Sequence, residues 1–208
     1  MPDAPGRPLE PAPTPEPPPA DESAALMLRL AAGDETALTA LYERWSGPLV
    51  NFLFKMCGDR ALSEDLLHDV FLRVWRAAPT YQPTARYSTW LFQVARNAWL
   101  NEREKLLRRP RAVGMAGSGD DAPGVPEPED LGTRPPDRAA LDRELRERID
   151  GAVSRLPEKF REVWILGAAQ GLPYQEVSAI LGIPEGTVKS RMFQAVRLLR
   201  ADLEPYVS

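Results

Sequence analysis

The chain has 208 residues, with 26 Lys or Arg against 30 Asp or Glu and a formal net charge of −4. Its single cysteine, Cys57, excludes an internal disulfide and any zinc site built from several cysteines. No stretch approaches the roughly 18 uninterrupted apolar residues of a membrane helix, and the N-terminus has no charged-then-apolar leader pattern. We therefore expect a soluble, cytoplasmic protein without membrane insertion.

Composition divides the chain into four segments. Residues 1–22 contain nine prolines in the first 20 positions and almost no large apolar side chains, which predicts a disordered arm. Residues 112–137 are rich in Gly, Pro, Asp and Glu and predict a flexible acidic linker. Two apolar-periodic blocks remain, 23–111 and 138–208. Their patterns predict an all-α fold of two small helical domains joined by the linker.

The negative charge lies mainly outside the two blocks. The arm carries −4 and residues 112–142 carry −5, whereas residues 23–111 carry +4 and residues 143–208 carry +1. The acidic total therefore does not argue against a nucleic-acid partner, because the local charge of a folded face decides binding.

The first block begins with amphipathic helices predicted over 23–32 and 34–46, capped by Ser23 and Asp34, and a third helix starting at Pro48. A further helix is predicted over 63–76, with Ser63 as its N-cap. Its buried stripe is Leu66, Leu67, Val70, Phe71 and Val74. Its opposite face carries Asp65, His68, Asp69, Leu72, Arg73 and Arg76. From the residues alone, that face is either a solvated surface or a partner site.

The next helix follows a turn through residues 81–86 and extends over 87–109, with Ser88 or Thr89 as its cap. Aromatic residues alternate here with Arg and Asn, a combination that suits single-stranded nucleic acid. Bases can stack on the rings, amides can bind base edges and arginines can bind phosphates. The alternative is that Tyr87, Trp90 and Phe92 belong to the core, as we expect for Trp90.

Residues 174–193 predict a helix-turn-helix. Val177 and Leu181 share one face of a first helix, Gly182 ends that helix, and Pro184 starts the second. Val188, Met192, Ala195, Val196 and Leu199 form the buried stripe of the second helix, which leaves cationic and polar residues outward. Such a helix enters the major groove of DNA, although an ordinary helical hairpin with a solvated basic face has the same periodicity.

Three segments in this order resemble a known family: SEDLLHDVFLRVWR, YSTWLFQVARNAWLNEREKLLRR and LPEKFREVWILGAAQGLPYQEVSAILGIPEGTVKSRMFQAVRLLR. They look like regions 2 and 4 of a bacterial RNA polymerase sigma factor, in particular of the small extracytoplasmic-function (ECF) group in the sigma-70 family. The resemblance covers about 23–111 (region 2) and 138–203 (region 4). It implies a protein that binds core RNA polymerase and directs promoter-specific transcription initiation, with recognition of the −35 and −10 elements and DNA melting.

The resemblance also implies roles for individual faces. Core polymerase, through the coiled coil of its largest subunit, would be bound by Asp65, His68, Asp69, Leu72, Arg73 and Arg76. The −10 element would be bound by Tyr87, Arg96, Asn97 and Asn101. The −35 element would be bound by Gly186, Thr187, Lys189, Ser190, Arg191, Phe193, Gln194 and Arg197. The stretch 156–170 would be a helix that packs behind the helix-turn-helix and contacts the flap of the second-largest subunit.

Two departures and one further partner follow from the same resemblance. Gln194 stands where many relatives carry Arg, and glutamine prefers adenine where arginine prefers guanine, so the −35 sequence is not transferable from a relative. His68 replaces a more usual Gln without removing a hydrogen-bonding group. Family members are commonly held inactive by an anti-sigma factor, so we expect one here.

Two other functional classes are weighed against this interpretation. A stand-alone helix-turn-helix regulator explains the second block but leaves the Trp- and Asn-rich first block without a purpose. An enzyme using His68 or Cys57 lacks nearby catalytic partners in the sequence, and neither a Gly-rich phosphate loop nor metal-ligand spacing is present. We therefore expect a non-enzyme without cofactor or metal.

Overall fold

The computed structural model describes residues 21–108 and 136–204, and within these ranges the chain is helical without any β-strand. This confirms the all-α prediction, whereas the predictions for most of the arm and the linker lie outside the described residues. The helices are α1 (Glu22–Ala31), α2 (Thr36–Cys57), α3 (Arg60–Ala77), α4 (Tyr87–Arg108), α5 (Pro136–Arg155), α6 (Glu158–Trp164), α7 (Tyr174–Leu181) and α8 (Glu185–Leu203). We call α1–α4 the first lobe and α5–α8 the second lobe.

In the first lobe, α2 packs against α1, α3 and α4. Its fully buried Leu41, Phe52 and Leu53 form the centre of the core. The stripe predicted on α3 is buried as a whole, which confirms the helical periodicity in that segment. Burial of these large apolar side chains provides most of the stability of such a small helical unit.

Helix α2 continues through Pro48 to Cys57, so the prediction of a new helix starting at Pro48 was wrong. A proline inside a helix removes one backbone hydrogen bond. Leu41 lies before it and Leu49 and Phe52 lie after it, and all three are fully buried in the same core. Packing therefore holds both halves of the sequence in one helix, because tertiary contacts contribute more to helix stability than local propensity does.

Two predicted helix caps were also wrong. Helix α3 begins three residues early at Arg60, with Asp59 as its N-cap accepting from the Leu62 amide at 3.0 Å. Ser63 is buried inside the helix and donates to the Asp59 carbonyl. Likewise, Ser23 is buried and accepts from the Trp45 indole at 3.0 Å. Asp34, the predicted cap of α2, lies one residue before the N-cap Glu35 and accepts from the Thr36 amide at 3.1 Å.

Asp21 caps two helices at once. Its Oδ1 accepts from the Ala24 amide of α1 at 3.3 Å, and its Oδ2 accepts from the Tyr87 amide at the start of α4 at 2.5 Å. The cap predicted for α4 at Ser88 or Thr89 is therefore replaced by a carboxylate 66 positions away in the sequence. Asp21 and Glu22, assigned to the arm from composition, belong to the first lobe.

In the second lobe, α6 is followed directly by one turn of π-helix, Ile165–Ala169, so the predicted helix over 156–170 is split. Leu156 lies between α5 and α6 and is buried. Helix α5 begins at Pro136, which moves the last two residues of the predicted linker into the lobe. Its neighbours include α8, which also packs on α6 and α7.

The two lobes are in contact. Helix α4 packs against α7, and α2 packs against α5, so the buried residues of both lobes form one continuous hydrophobic cluster. Two helical units are present, as predicted from the sequence. Their direct contact is a feature that the sequence pattern did not indicate.

Candidate functional site

The outward face of α3 is the first candidate surface. Asp65, His68 and Arg76 are exposed, and Leu72 keeps 50% of its accessible surface. Asp69 and Arg73 are half-buried and form an ion pair of 2.6 Å one turn apart. The structure thus brings together all six residues predicted on this face, as the helical spacing requires.

Trp75 lies on the same face and was not among the predicted residues. Its side chain is 55% exposed, the largest exposed apolar surface on this helix. It follows His68 by seven positions and Leu72 by three, so it continues their row along α3. The helical spacing from His68 was the available indication. An indole and a leucine exposed among charged groups is an arrangement typical of a protein-binding surface.

Helix α4 presents a polar face that carries Asn97 and Asn101, one turn apart and both exposed. Amides at this spacing can donate to and accept from base edges. Tyr87, predicted to contact DNA, has no exposed surface, and burial strongly raises the pKa of its hydroxyl group. This burial argues against direct nucleic-acid contact by Tyr87 and places it in the core.

An aromatic cluster supports the start of α4. The Tyr87 ring packs against Trp90 at 5.6 Å and Trp45 at 5.8 Å between centroids, and Tyr81 lies 5.3 Å from Trp90. Trp90 and Tyr81 are half-buried. Trp90 therefore acts largely as a core residue, in agreement with the expectation from the sequence.

A second side of α4 faces the second lobe. Arg96 donates from Nε to Oε1 of Glu162 at 2.8 Å, and the carboxylate of Glu162 is only 7% exposed. Arg103 pairs with Glu158 at 2.7 Å. Gln93 donates to the Ala179 carbonyl at 2.8 Å. Arg96, a predicted −10 contact, is therefore held by a carboxylate in this conformation.

The helix-turn-helix has the predicted geometry. Helix α7 ends at Gly182, whose φ of 66° is a left-handed conformation that favours glycine. The Gly182 amide donates to the Ser178 carbonyl at 2.9 Å, and the Ser178 hydroxyl donates to the Ile183 carbonyl at 2.6 Å. These bonds fix the corner, and Pro184 then precedes the first residue of α8.

Helix α8 buries Val188, Met192, Ala195 and Leu199 and leaves a continuous outward row. The exposed residues of that row are Gly186, Lys189, Ser190, Phe193 and Arg197, whereas Thr187, Arg191 and Gln194 are half-buried at its edges. Phe193 is 67% exposed. The Thr187 amide already donates to the Pro184 carbonyl at 2.8 Å, and this bond argues against its donation to a DNA phosphate.

Lys189 extends along this row and pairs with Glu185 at 2.8 Å. The hydrogen bond and charge of Glu185 raise the pKa of the Lys189 ammonium group, so Lys189 is cationic near neutral pH. Both side chains are well exposed, so the pair is weak and a DNA phosphate can replace the carboxylate.

The residues considered for catalysis have ordinary structural surroundings. The Nδ1 atom of His68 lies 2.8 Å from the Glu64 carbonyl of its own helix. The Cys57 thiol lies 3.3 Å from the Ser63 hydroxyl and 3.2 Å from the Asp59 carbonyl. Over residues 21–108 and 136–204, no cluster of three or more His, Cys, Asp or Glu is arranged to hold a metal ion, and no helix could span a membrane.

Comparison with known proteins assigns the family. The family model of sigma-70 region 2 matches residues 41–109, and that of sigma-70 region 4 matches residues 146–199. The ECF RNA polymerase sigma factor SigL of Mycobacterium tuberculosis is 36% identical over 178 residues, which cover 84% of this chain and 93% of the relative. The chain belongs to the ECF sigma factors of the sigma-70 family.

A second relative agrees with this assignment, and two solved structures share the fold of this chain. The ECF sigma factor SigE of Mycolicibacterium smegmatis is 29% identical over 91% of this chain and 72% of the relative. CnrH, solved with the cytosolic domain of CnrY, superposes with a TM-score of 0.63 at 23% identity, covering 89% of this chain and 99% of CnrH. RpoE, solved with the anti-sigma factor NepR from Bartonella quintana, superposes with a TM-score of 0.56 at 23% identity, covering 75% of this chain and 89% of RpoE.

The first lobe thus contains sigma region 2 and the second contains sigma region 4. This sigma factor directs transcription initiation by RNA polymerase and binds promoter DNA, as its family does. The assignment also places the α3 face and the α4 face within region 2, and the helix-turn-helix within region 4.

Proposed function

We propose that this sigma factor divides promoter recognition among three surfaces: α3 for core polymerase, α4 for the −10 strand and α8 for the −35 element. The observation that carries the proposal is that one chain presents an exposed apolar patch on α3 and an outward cationic row on a helix-turn-helix. The first suits a protein partner, whereas the second suits DNA.

The α3 surface binds the coiled coil of the largest polymerase subunit. Leu72 and Trp75 provide the apolar centre of the contact, and Asp65, Asp69 and Arg76 provide a charged rim. A central apolar contact supplies most of the affinity of such an interface, while the rim charges mainly select the partner and orient it. His68 adds a hydrogen-bonding group within the row.

The α4 surface binds the non-duplex −10 strand. Asn97 and Asn101 form hydrogen bonds with base edges, and the aromatic side chains of Tyr81 and Trp90 at the start of the helix stack against bases of the strand. Flipping a base out of the duplex costs a few kcal/mol of stacking, which contacts on this lobe must offset. Arg96 joins this surface after it separates from Glu162.

The α8 surface binds the −35 element in the major groove. Lys189, Ser190, Phe193 and Arg197 form its outward row, with Arg191 and Gln194 at the edges and Gly186 at the helix start. Each lobe alone binds DNA weakly. Linking the two lobes in one chain on a common polymerase raises the effective concentration of each element for its lobe.

The stretch at α6 and the π-helical turn supports α8 and contacts the flap of the second-largest subunit. An anti-sigma factor regulates this protein in the cytoplasm by covering region 2 and region 4. The solved relative RpoE was crystallised with the anti-sigma factor NepR, which supports this part of the proposal. No enzymatic activity or cofactor is part of the proposed function.

Run-off transcription with core polymerase on a promoter library tests the proposal. The full chain should make core polymerase start at defined sites, and the purified chain alone should show no comparable promoter selection. A stand-alone helix-turn-helix regulator predicts the opposite: promoter binding of full strength without polymerase.

Two substitutions test the separation of surfaces. Asp69→Ala should lower the affinity for core polymerase and leave −35 use intact, whereas Lys189→Ala should lower −35 use and leave the affinity for core intact. The two steps are measured separately, by core titration and by run-off from promoters with an altered −35 element. The same defect at the same step in both variants would refute the assignment.

A further inference from the structure

The start of α4 forms a three-donor site around a single carboxylate. Oε2 of Glu176 accepts from the Thr89 hydroxyl at 2.9 Å and the Ser88 hydroxyl at 3.2 Å, and Oε1 lies 3.1 Å from Nη1 of Arg86. The donors belong to the first lobe, whereas Glu176 belongs to α7 of the second lobe. We call Arg86, Ser88 and Thr89 the donor site.

The donor site has the chemistry of a phosphate site. A guanidinium group with two hydroxyl groups is a set of donors that binds phosphate oxygens in DNA complexes. Glu176 is only 12% exposed, so its charge is well enclosed by these donors. Three donors around one carboxylate resemble the environment of a backbone phosphate more than that of an isolated surface ion pair.

Two more carboxylates of the second lobe continue this arrangement along α4. Glu162 accepts from both Nε and Nη2 of Arg96, at 2.8 and 3.5 Å, and Glu158 pairs with Arg103. The three carboxylates therefore cover a row of three first-lobe arginines, Arg86, Arg96 and Arg103. Asn97 and Asn101 remain exposed beside that row.

We propose that the donor site and the arginine row bind backbone phosphates of the −10 strand, and that Glu158, Glu162 and Glu176 occupy these positions in the closed conformation. Region 4 is then an internal competitor of single-stranded DNA for region 2. Promoter strand and second lobe exclude one another on this side of α4, so the lobes must separate before the strand is bound. The inference rests on the proposed −10 role of α4 and adds a site and a control step to it.

The energetic balance suits a reversible contact. The three ion pairs range from the almost buried Glu162 to the half-exposed Glu158, and exposed pairs contribute little in water and are screened by salt. A strand offers several phosphates to the same cations and releases counterions on binding. By holding the lobes apart, polymerase would further favour the replacement of the carboxylates by DNA phosphates.

The first experiment asks whether the carboxylates hold the lobes together. Small-angle X-ray scattering of the full chain compares the native protein with Glu162→Arg and with the exchanged pair Arg96→Glu/Glu162→Arg. We expect a larger radius of gyration for Glu162→Arg and a return toward the native value for the exchanged pair, whose recovery also shows that the chain still folds. An unchanged radius in Glu162→Arg overturns the closed-state contact.

The second experiment asks whether opening exposes a strand-binding site. Fluorescence anisotropy measures binding of a fluorescein-labelled, 20-nucleotide single-stranded DNA of mixed sequence to the full chain. Glu162→Gln/Glu176→Gln should bind roughly fivefold more tightly than the native chain. The matched control Glu43→Gln/Glu147→Gln removes the same charge at exposed positions on α2 and α5 and should change the affinity by less than about twofold.

The donor site is tested in the open background. Adding Arg86→Ala to Glu162→Gln/Glu176→Gln should lower the affinity again and reduce the slope of log affinity against log salt by about 0.7, the value for one single-strand phosphate. Equal binding by the open variant and the control pair overturns the strand competition. An unchanged slope with Arg86→Ala overturns the donor site as a phosphate site. Run-off transcription of the same variants separates the outcomes, because a failed competition with normal initiation leaves the proposed function standing.

Discussion

Two leucines of the first lobe allow a matched test of the polymerase surface. Leu72 on α3 and Leu28 on α1 are each 50% exposed, and both lie on helices of the same lobe. Only Leu72 belongs to the proposed docking row. Substitution of each by alanine removes the same atoms from an equally exposed position, so any difference in core binding reports the location of the side chain.

The size of the effect follows from the exposed area. Complete burial of a leucine side chain is worth about 1.5–3 kcal/mol, so burial of the half that Leu72 still exposes is worth about 1 kcal/mol. Leu72→Ala should therefore weaken core binding about fivefold. Trp75 exposes roughly 100 Å² of aromatic surface, whose burial at about 25 cal/mol per Å² is worth about 2.5 kcal/mol. Trp75→Ala should therefore weaken core binding by nearly two orders of magnitude.

Core affinity is measured by fluorescence-detected titration of labelled core polymerase with each full-length variant. Circular dichroism and urea unfolding verify that Leu72→Ala and Leu28→Ala leave the fold intact. Equal affinities of the two leucine variants would show that α3 has no special role in docking, and the reasoning from its exposed row would be refuted.

Two further predictions concern stability and are measured by urea unfolding of the full chain. Asp21→Ala should lower the free energy of unfolding by about 2–4 kcal/mol because it removes the acceptor of two helix starts. Asp59→Ala removes one cap bond and should lower the free energy of unfolding by about 1 kcal/mol. Equal losses in the two variants would exclude a contribution from the bond between Asp21 and the Tyr87 amide. Gly182→Ala should lower it by about 1–2 kcal/mol because of the left-handed backbone. Gly167→Ala should have a smaller effect because its new methyl group would meet the flexible end of Met192, and the reverse order would contradict this account.

Helical periodicity explains why much of the candidate site was predictable. Residues three, four and seven positions apart share one face of a helix whatever the surrounding fold is. The outward faces of α3 and α8 therefore followed from spacing, and the turn of the helix-turn-helix followed from Gly182 and Pro184, whose backbone preferences are local. Trp75 was within reach of the same argument through its spacing from His68 and Leu72.

Interactions between distant segments were decided only in the folded chain. Asp21 replaced Ser88 or Thr89 as the acceptor at the start of α4, because the fold brings α1 beside it. Tyr87 became a core residue through the aromatic side chains that surround it there.

The pairing of Arg96 with Glu162 has the same origin, and its partners lie 66 positions apart. A sequence shows that a chain has an arginine on one helix and a glutamate on another, but the approach of two helices depends on the packing of the whole core. The helices, their faces and the recognition turn were thus determined locally by the sequence. The contact that packs region 4 against α4 of region 2 was decided by tertiary structure alone.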